Sequence, residues 1–192
     1  MKLEVIVAST RPGRVGIAFA EWFHDQAVAH GKFDVALCDL ADLDLPMMDE
    51  PRHPRFHDYE HQHTKDWSAR VDATDAFVVV TPEYNHGMTA PFKNALDFLH
   101  DEWQYKPIGF VSYGGASAGT RGVEHAKQVV STLKMMPVFE TVAIPFFAQF
   151  LDEDKQVEPN EVMEKAAVDM LNELHKIATA LRTIRHPIDQ LV

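Results

Sequence analysis

At 192 residues the chain is long enough for one compact domain with a real core and too short for two full ones. Its 46% hydrophobic and 24% charged residues match an ordinary globular protein. A formal net charge of -11 leaves no basic footprint for a phosphate backbone, which excludes a general nucleic-acid binder.

Taken in chain order, apolar runs of strand length alternate with longer, helically patterned stretches. Met1 to Thr10 is an apolar run leading straight into polar turn residues, without the long apolar region and small-residue cleavage site of a signal peptide. No stretch of about 18 apolar residues follows it, so a cytoplasmic protein without a membrane span is expected. Strands are predicted at Leu3–Ala8, Phe33–Leu37, Ala76–Thr81, Ile108–Ser112 and Thr141–Ile144, each short, continuous and rich in Val, Ile and Phe. Helices are predicted at Val15–His30, Lys65–Ala73, Ala90–His100, Gly122–Leu133 and from about Asn160 to Ile184. In the last, Val162, Ala166, Met170, Leu174, Ile177 and Leu181 form an apolar stripe. The lone cysteine, Cys38, reads as buried strand. Such alternation implies right-handed βαβ units and a parallel sheet covered on both sides, an α/β fold of three layers. One domain over residues 1–192 is expected, with two long irregular segments, 43–64 and 146–159, as lid or contact regions.

Three loops carry ligand-friendly chemistry. After the first strand comes Ser9-Thr10-Arg11-Pro12-Gly13-Arg14-Val15-Gly16 and then a helix. Free N–H groups at a helix start, serine and threonine hydroxyls and two guanidinium groups suit a phosphate. The alternative is a plain turn with solvated arginines. It is neither a dinucleotide fingerprint nor a P-loop. After the third strand, Thr81-Pro82-Glu83-Tyr84-Asn85 offers a proline-rigidified turn, the N–H groups of 83 to 85, an amide and a phenol to a flat heteroaromatic ring. After the fourth, Tyr113-Gly114-Gly115-Ala116-Ser117 lets a ligand approach the backbone. In the doubly wound order 2-1-3-4-5 all three face the switch point between strands one and three, where a nucleotide sits.

These motifs resemble the NADPH-dependent FMN reductase family: the first loop its phosphate loop, Thr81-Pro82-Glu83-Tyr84-Asn85 its flavin-ring motif, Tyr113-Gly114-Gly115 its second ring loop. Asp39 to Leu43 with Leu45-Pro46, and Lys93 to Asp97, match in type and order, so the resemblance covers roughly residues 1 to 145. It implies a flavodoxin-like fold, noncovalent FMN with its phosphate at Ser9, Arg11, Arg14 and the Gly16–Ile17 backbone, and the ring against Pro82 to Asn85 and Gly114-Gly115. It also implies NADPH or NADH as reductant, a small acceptor such as a free flavin, quinone, azo dye or chromate, and a homodimer or homotetramer. With the three loops covering one side of the cofactor, both substrates must share the other face, so alternating turnover is expected. The family's second phosphate-loop hydroxyl is replaced here by Val15-Gly16. No acid–base residue stands out, although Glu83 and His86 lie nearby, and Arg121 is a candidate for a nicotinamide phosphate.

Two other classes fit the fold: an electron carrier that never meets a pyridine nucleotide, and a flavin-free binding module. His57-Asp58-Tyr59-Glu60-His61 also has the spacing of an inverted zincin helix, yet it lies in a proline-studded segment without a second acidic ligand, so no metal is expected.

Overall fold

The computed structural model describes residues 1–185. Five parallel strands, β1 (Lys2–Val7), β2 (Asp34–Asp39), β3 (Ala76–Thr81), β4 (Pro107–Tyr113) and β5 (Met136–Ile144), form one sheet in the order β2-β1-β3-β4-β5. Val5 of β1 stands opposite Leu37 on one side and Val78 on the other. The order is the flavodoxin-like one expected, with its switch point between β1 and β3.

The pleat sorts the side chains. Leu3, Val5 and Val7, with Ala76, Val78 and Val80, face one core, whereas Ile6, Ala8, Phe77 and Val79 face the other. The first core is roofed by α1 (Gly16–His30) and by α6 (Glu161–Arg185), which supplies Met170 and Leu174. A four-residue turn of helix, α2 (Leu40–Leu43), follows β2. The second core packs under α3 (Gln62–Asp72), α4 (Ala90–Asp97) and α5 (Thr120–Thr132) through Trp67, Phe92 and Val123. The central strands β3 and β4 are buried at every position, which is why they read as unbroken apolar runs.

The structure departs from the expected elements where local signals conflict. β5 begins at Met136, five residues early, because Pro137 and the 92%-exposed Phe139 break its apolar pattern. Both sit on an edge strand, where a missing donor is tolerated. α2 was not expected; Asp39 caps it by accepting the Ala41 N–H at 2.9 Å. α4 stops at Asp97, and a single 3₁₀ turn covers Asp101–Trp103. On α6 the buried stripe runs through Met163, Ala167, Met170, Leu171, Leu174 and Ala178, while Val162 is 75% exposed. Of the expected stripe, Met170 and Leu174 are fully buried and Ala166 and Ile177 pack against the same core, whereas Val162, one residue before the buried Met163, is turned away by about 100°. Cys38 is buried as expected, and burial pushes its thiol pKa up to about 12, which makes it inert.

The 43–64 segment is held by side chains. Asn94 of α4 donates to the Pro46 carbonyl at 2.7 Å and accepts from the Met48 N–H at 3.0 Å. Buried Glu102 accepts from the Tyr59 hydroxyl at 2.7 Å and from Ser68 Oγ at 2.6 Å. No helix among the described residues is long and apolar enough to cross a membrane.

Candidate functional site

The loops after β1, β3 and β4 meet at the carboxyl rim of the sheet around a cavity of about 730 Å³. The first is built on a tight turn. The Arg14 N–H donates to the Arg11 carbonyl at 3.0 Å, with Pro12 and Gly13 between them and Gly13 at φ +74°. A Pro-Gly pair suits that geometry, which needs a left-handed residue in third place. The first turn of α1 has neither a capping side chain nor an acidic residue, so its N–H groups have no local carboxylate to satisfy them.

The two arginines of this loop are not equivalent. Arg14 forms an ion pair with Asp39 at the end of β2, and its Nε is buried without a partner. Arg11 is exposed, lines the cavity and has no ion pair among the described residues. The unneutralised charge of the loop therefore belongs to Arg11.

In the second loop, Tyr84 and Gly87 exchange two backbone hydrogen bonds of 3.0 Å each. Between them Asn85 and His86 both have positive φ, 51° and 67°. That is a type I′ turn, and it consumes the Tyr84 N–H. The expected row of free N–H groups at 83 to 85 is thus broken at its centre. Glu83 is also committed: it accepts from the Arg121 N–H at 3.1 Å and from Arg121 Nε at 2.7 Å, and Arg121 Nη2 completes a fork. These bonds hold the Glu83 carboxyl below its ordinary range, so it is a structural anion rather than a proton donor. Arg121 also reaches Ser117 Oγ at 3.0 Å, clamping the β3 and β4 loops together. Its fork is turned inward onto Glu83 instead of being free for a nicotinamide phosphate. Gly122 permits this docking, since a Cβ there would stand 3.0 Å from both Glu83 Cβ and the Gly87 carbonyl.

In the third loop, Tyr113 stacks on Phe19 with centroids 5.2 Å apart. Its hydroxyl points away from the glycines and toward the first loop, where a Cβ on Gly16 would lie 2.6 Å from it. Gly16 is required by this close approach. Burial pushes the Tyr113 phenol pKa up, so it stays a neutral donor. The glycines divide the work: a Cβ on Gly114 would meet the Gly119 nitrogen at 2.9 Å, whereas one on Gly115 would meet open space.

Ser9, Arg11, Arg14, Pro82, Glu83, Tyr84, Tyr113, Gly114 and Gly115 line the cavity; Gly16, Ile17 and Asn85 do not. Gly16 lies beneath Tyr113, Ile17 packs against the α1 core and Asn85 sits at the turn tip. Phe147, absent from the expected set, forms a fourth wall. The chain after β5 is sewn to the glycine loop by bonds from the Phe146 N–H to the Gly115 carbonyl (3.1 Å) and from the Phe147 N–H to the Gly114 carbonyl (3.2 Å). The aromatic run after β5 was the available signal; its pairing with a loop thirty residues earlier was not.

The histidine segment does not take up the geometry of an inverted zincin helix. Residues 57–60 are irregular rather than helical, and the imidazoles are taken by different carboxylates: His57 by Asp101 at 3.2 Å, His61 by Asp49 at 3.9 Å. Among the described residues no cluster of three or more His, Cys, Asp or Glu could hold a metal.

Residues 1–149 match the sequence model of the family described as NADPH-dependent FMN reductase. The chain belongs to this family. Among its relatives, an NAD(P)H-dependent FMN reductase of Schizosaccharomyces pombe is 38% identical over 148 residues, which cover 75% of this chain and 74% of that one. An FMN-dependent NADPH-azoreductase of Staphylococcus haemolyticus is 29% identical over 134 residues, covering 69% and 71%. In fold, the chain resembles the flavoenzyme NAD(P)H:(acceptor) oxidoreductase of Paracoccus denitrificans with a TM-score of 0.74 at 18% identity, over 93% of this chain and 97% of that one. The match to the family model stops at residue 149, two residues beyond the Phe147 wall. Every loop that lines the cavity therefore falls inside the family's own span.

Proposed function

We propose that the chain, as one domain, holds FMN noncovalently in this cavity, takes electrons from NADPH or NADH, and passes them to a small acceptor such as a free flavin, a quinone or an azo compound. The observation that carries this reading is the convergence of three loops with different chemistry on one cavity at the β1/β3 switch point. The residues present fit the cofactor. The volume lies within the usual range for such ligands. One end holds the unpaired Arg11 and the buried Ser9 hydroxyl for a phosphate, and the uncapped first turn of α1 at Gly16 and Ile17 follows them in the chain. The other end, Pro82 and Glu83 with Gly114 and Gly115, offers a rigid edge and, at Gly115, an open face for a flat ring. Arg14 supports the phosphate end from Asp39, and Tyr113 presents a neutral hydroxyl to it.

Bound there, FMN supplies the hydride and single-electron chemistry. The chain's residues hold it, with the Glu83–Arg121 clamp in the cavity wall, and on this reading the loops after β1, β3 and β4 cover one side of the ring and leave the other to both substrates. Donor and acceptor must then take turns. Initial rates against NADPH at several quinone concentrations are expected to give parallel double-reciprocal lines, with inhibition by excess quinone; intersecting lines would refute alternation. The function itself is tested by colour. Purified protein is expected to be yellow and to bleach on anaerobic addition of NADPH. Yellow protein that NADPH fails to bleach would favour an electron carrier, and colourless protein that takes up no FMN would favour a binding module. The assignment carries with it a cytoplasmic site of action and a homodimer or homotetramer as the working unit.

A further inference from the structure

Three hydroxyl groups from three loops meet at the proposed phosphate end, and the two tyrosines among them are held in opposite ways. Tyr113 is fixed: it is 4% exposed, packed on Phe19 and Phe147, and wedged over Gly16. Tyr84 is 39% exposed and hangs from the two-residue turn. Its hydroxyl nevertheless turns inward and lies 2.8 Å from the hydroxyl of Ser9, a buried residue 75 positions earlier. Nothing in the turn requires that contact, since the turn is closed by its own backbone bonds.

Ser9 has one proton to give, and so does Tyr84. As the structure stands, one of these protons is spent between two neutral oxygens. Two hydroxyls at this separation, beside the unpaired Arg11, can instead both donate to a single phosphate group, and bonds to an anion are roughly twice as strong as neutral ones. On the FMN reading, we propose that Tyr84 is a phosphate latch: its hydroxyl exchanges Ser9 for the flavin's phosphate ester and so selects FMN over riboflavin. A flavin without phosphate leaves the Tyr84–Ser9 bond standing and gains nothing from it. The phenol thus acts at the phosphate end, while the adjoining Pro82 and Glu83 belong to the ring end.

The test uses the full chain freed of flavin, as wild type and Tyr84→Phe, titrated with FMN and with riboflavin by quenching of flavin fluorescence. Phenylalanine keeps the ring and removes only the hydroxyl. Tyr84→Phe is expected to weaken FMN about 10- to 100-fold, the range for a bond to a charged group, and to leave riboflavin within about two-fold. The ³¹P resonance of bound FMN is expected to move between the two proteins, a readout independent of turnover and of small changes in stability. Equal losses for both flavins, an unchanged FMN affinity or an unmoved phosphorus resonance would overturn the latch while a wild type that binds FMN keeps the functional reading. A wild type that binds no FMN would overturn both.

Discussion

Arg11 and Arg14 stand three residues apart in one turn and face different fates, because only Arg14 finds a carboxylate within reach. Arg11→Ala should therefore weaken FMN by about 1.5–3 kcal/mol, the value of a hydrogen bond to a charged group, and leave riboflavin nearly unchanged. A fluorescence titration with both flavins checks this; equal losses would place Arg11 away from the phosphate. At this scale the sequence was informative about which residue types gather and uninformative about how they pair. Ser9, Pro82 and Gly115 could be picked from their turns, because hydroxyls, prolines and glycines declare their backbone role locally. The pairs Arg14–Asp39, Glu83–Arg121 and Ser9–Tyr84 join residues 25, 38 and 75 positions apart, and no local pattern encodes them. For that reason Glu83, a plausible proton carrier on paper, turns out to be a clamp.

Two junctions between elements show what the helices and strands demand of each other. Lys106, just before β4, is buried and donates to the Val71 and Asp72 carbonyls at 2.7 and 3.0 Å, closing the end of α3. Burial, helped by Arg185 and opposed by Asp72, Asp75 and Glu102, lowers its pKa to about 7. The unfolded lysine titrates near 10.4, so between about pH 7 and pH 10 the unfolded chain binds the extra proton and the native state does not. Stability from this group therefore rises with pH across that window. Urea denaturation at several pH values should show the rise in the wild type and its loss in Lys106→Met. The second junction lies in β4, where Ile108 faces Pro137 but Phe110 faces Thr141, so β5 bulges opposite Gly109. A Cβ at Gly109 would meet Met170 Sδ at 2.6 Å, and the missing side chain is what lets α6 settle on the sheet. Gly109→Val should cost roughly 1–3 kcal/mol by overpacking, with partial recovery on adding Met170→Ala, as read by urea midpoints. The expected elements were found because their periodicity is strong: β3 is Ala76–Thr81 in both readings, and α1 differs by one residue. α2 and the first half of β5 were missed because one is a single capped turn and the other carries a proline and outward-facing side chains on an edge.

For the molecule as a whole, exposed apolar side chains gather on the edge strand β5, at Phe139 and Met136, and on the irregular segments. Met47, Met48 and Phe56 stand out from the 43–64 segment, and Phe146 from the chain after β5. Exposed apolar residues of this kind suit a subunit contact, and Phe146 adjoins the Phe147 wall of the cavity. Light scattering at micromolar concentration should return the mass of a homodimer or homotetramer; a monomer would contradict it. The fold class was readable from alternation alone, whereas assembly depends on which surfaces match in space, and that information is spread over the whole chain.

The order β2-β1-β3-β4-β5 also has a consequence in time. The walls of the cavity come from Ser9 at one extreme and Phe147 at the other, and β1 finds its inner neighbour β3 only about seventy residues later. No shorter fragment owns a working share of the site. During synthesis the first loop must wait, with its free arginine exposed, until Phe147 has emerged and the central strands have closed on it. Capture of the yellow cofactor is then a late event, and it reports that β1 and β3 have met and the Phe147 wall has closed.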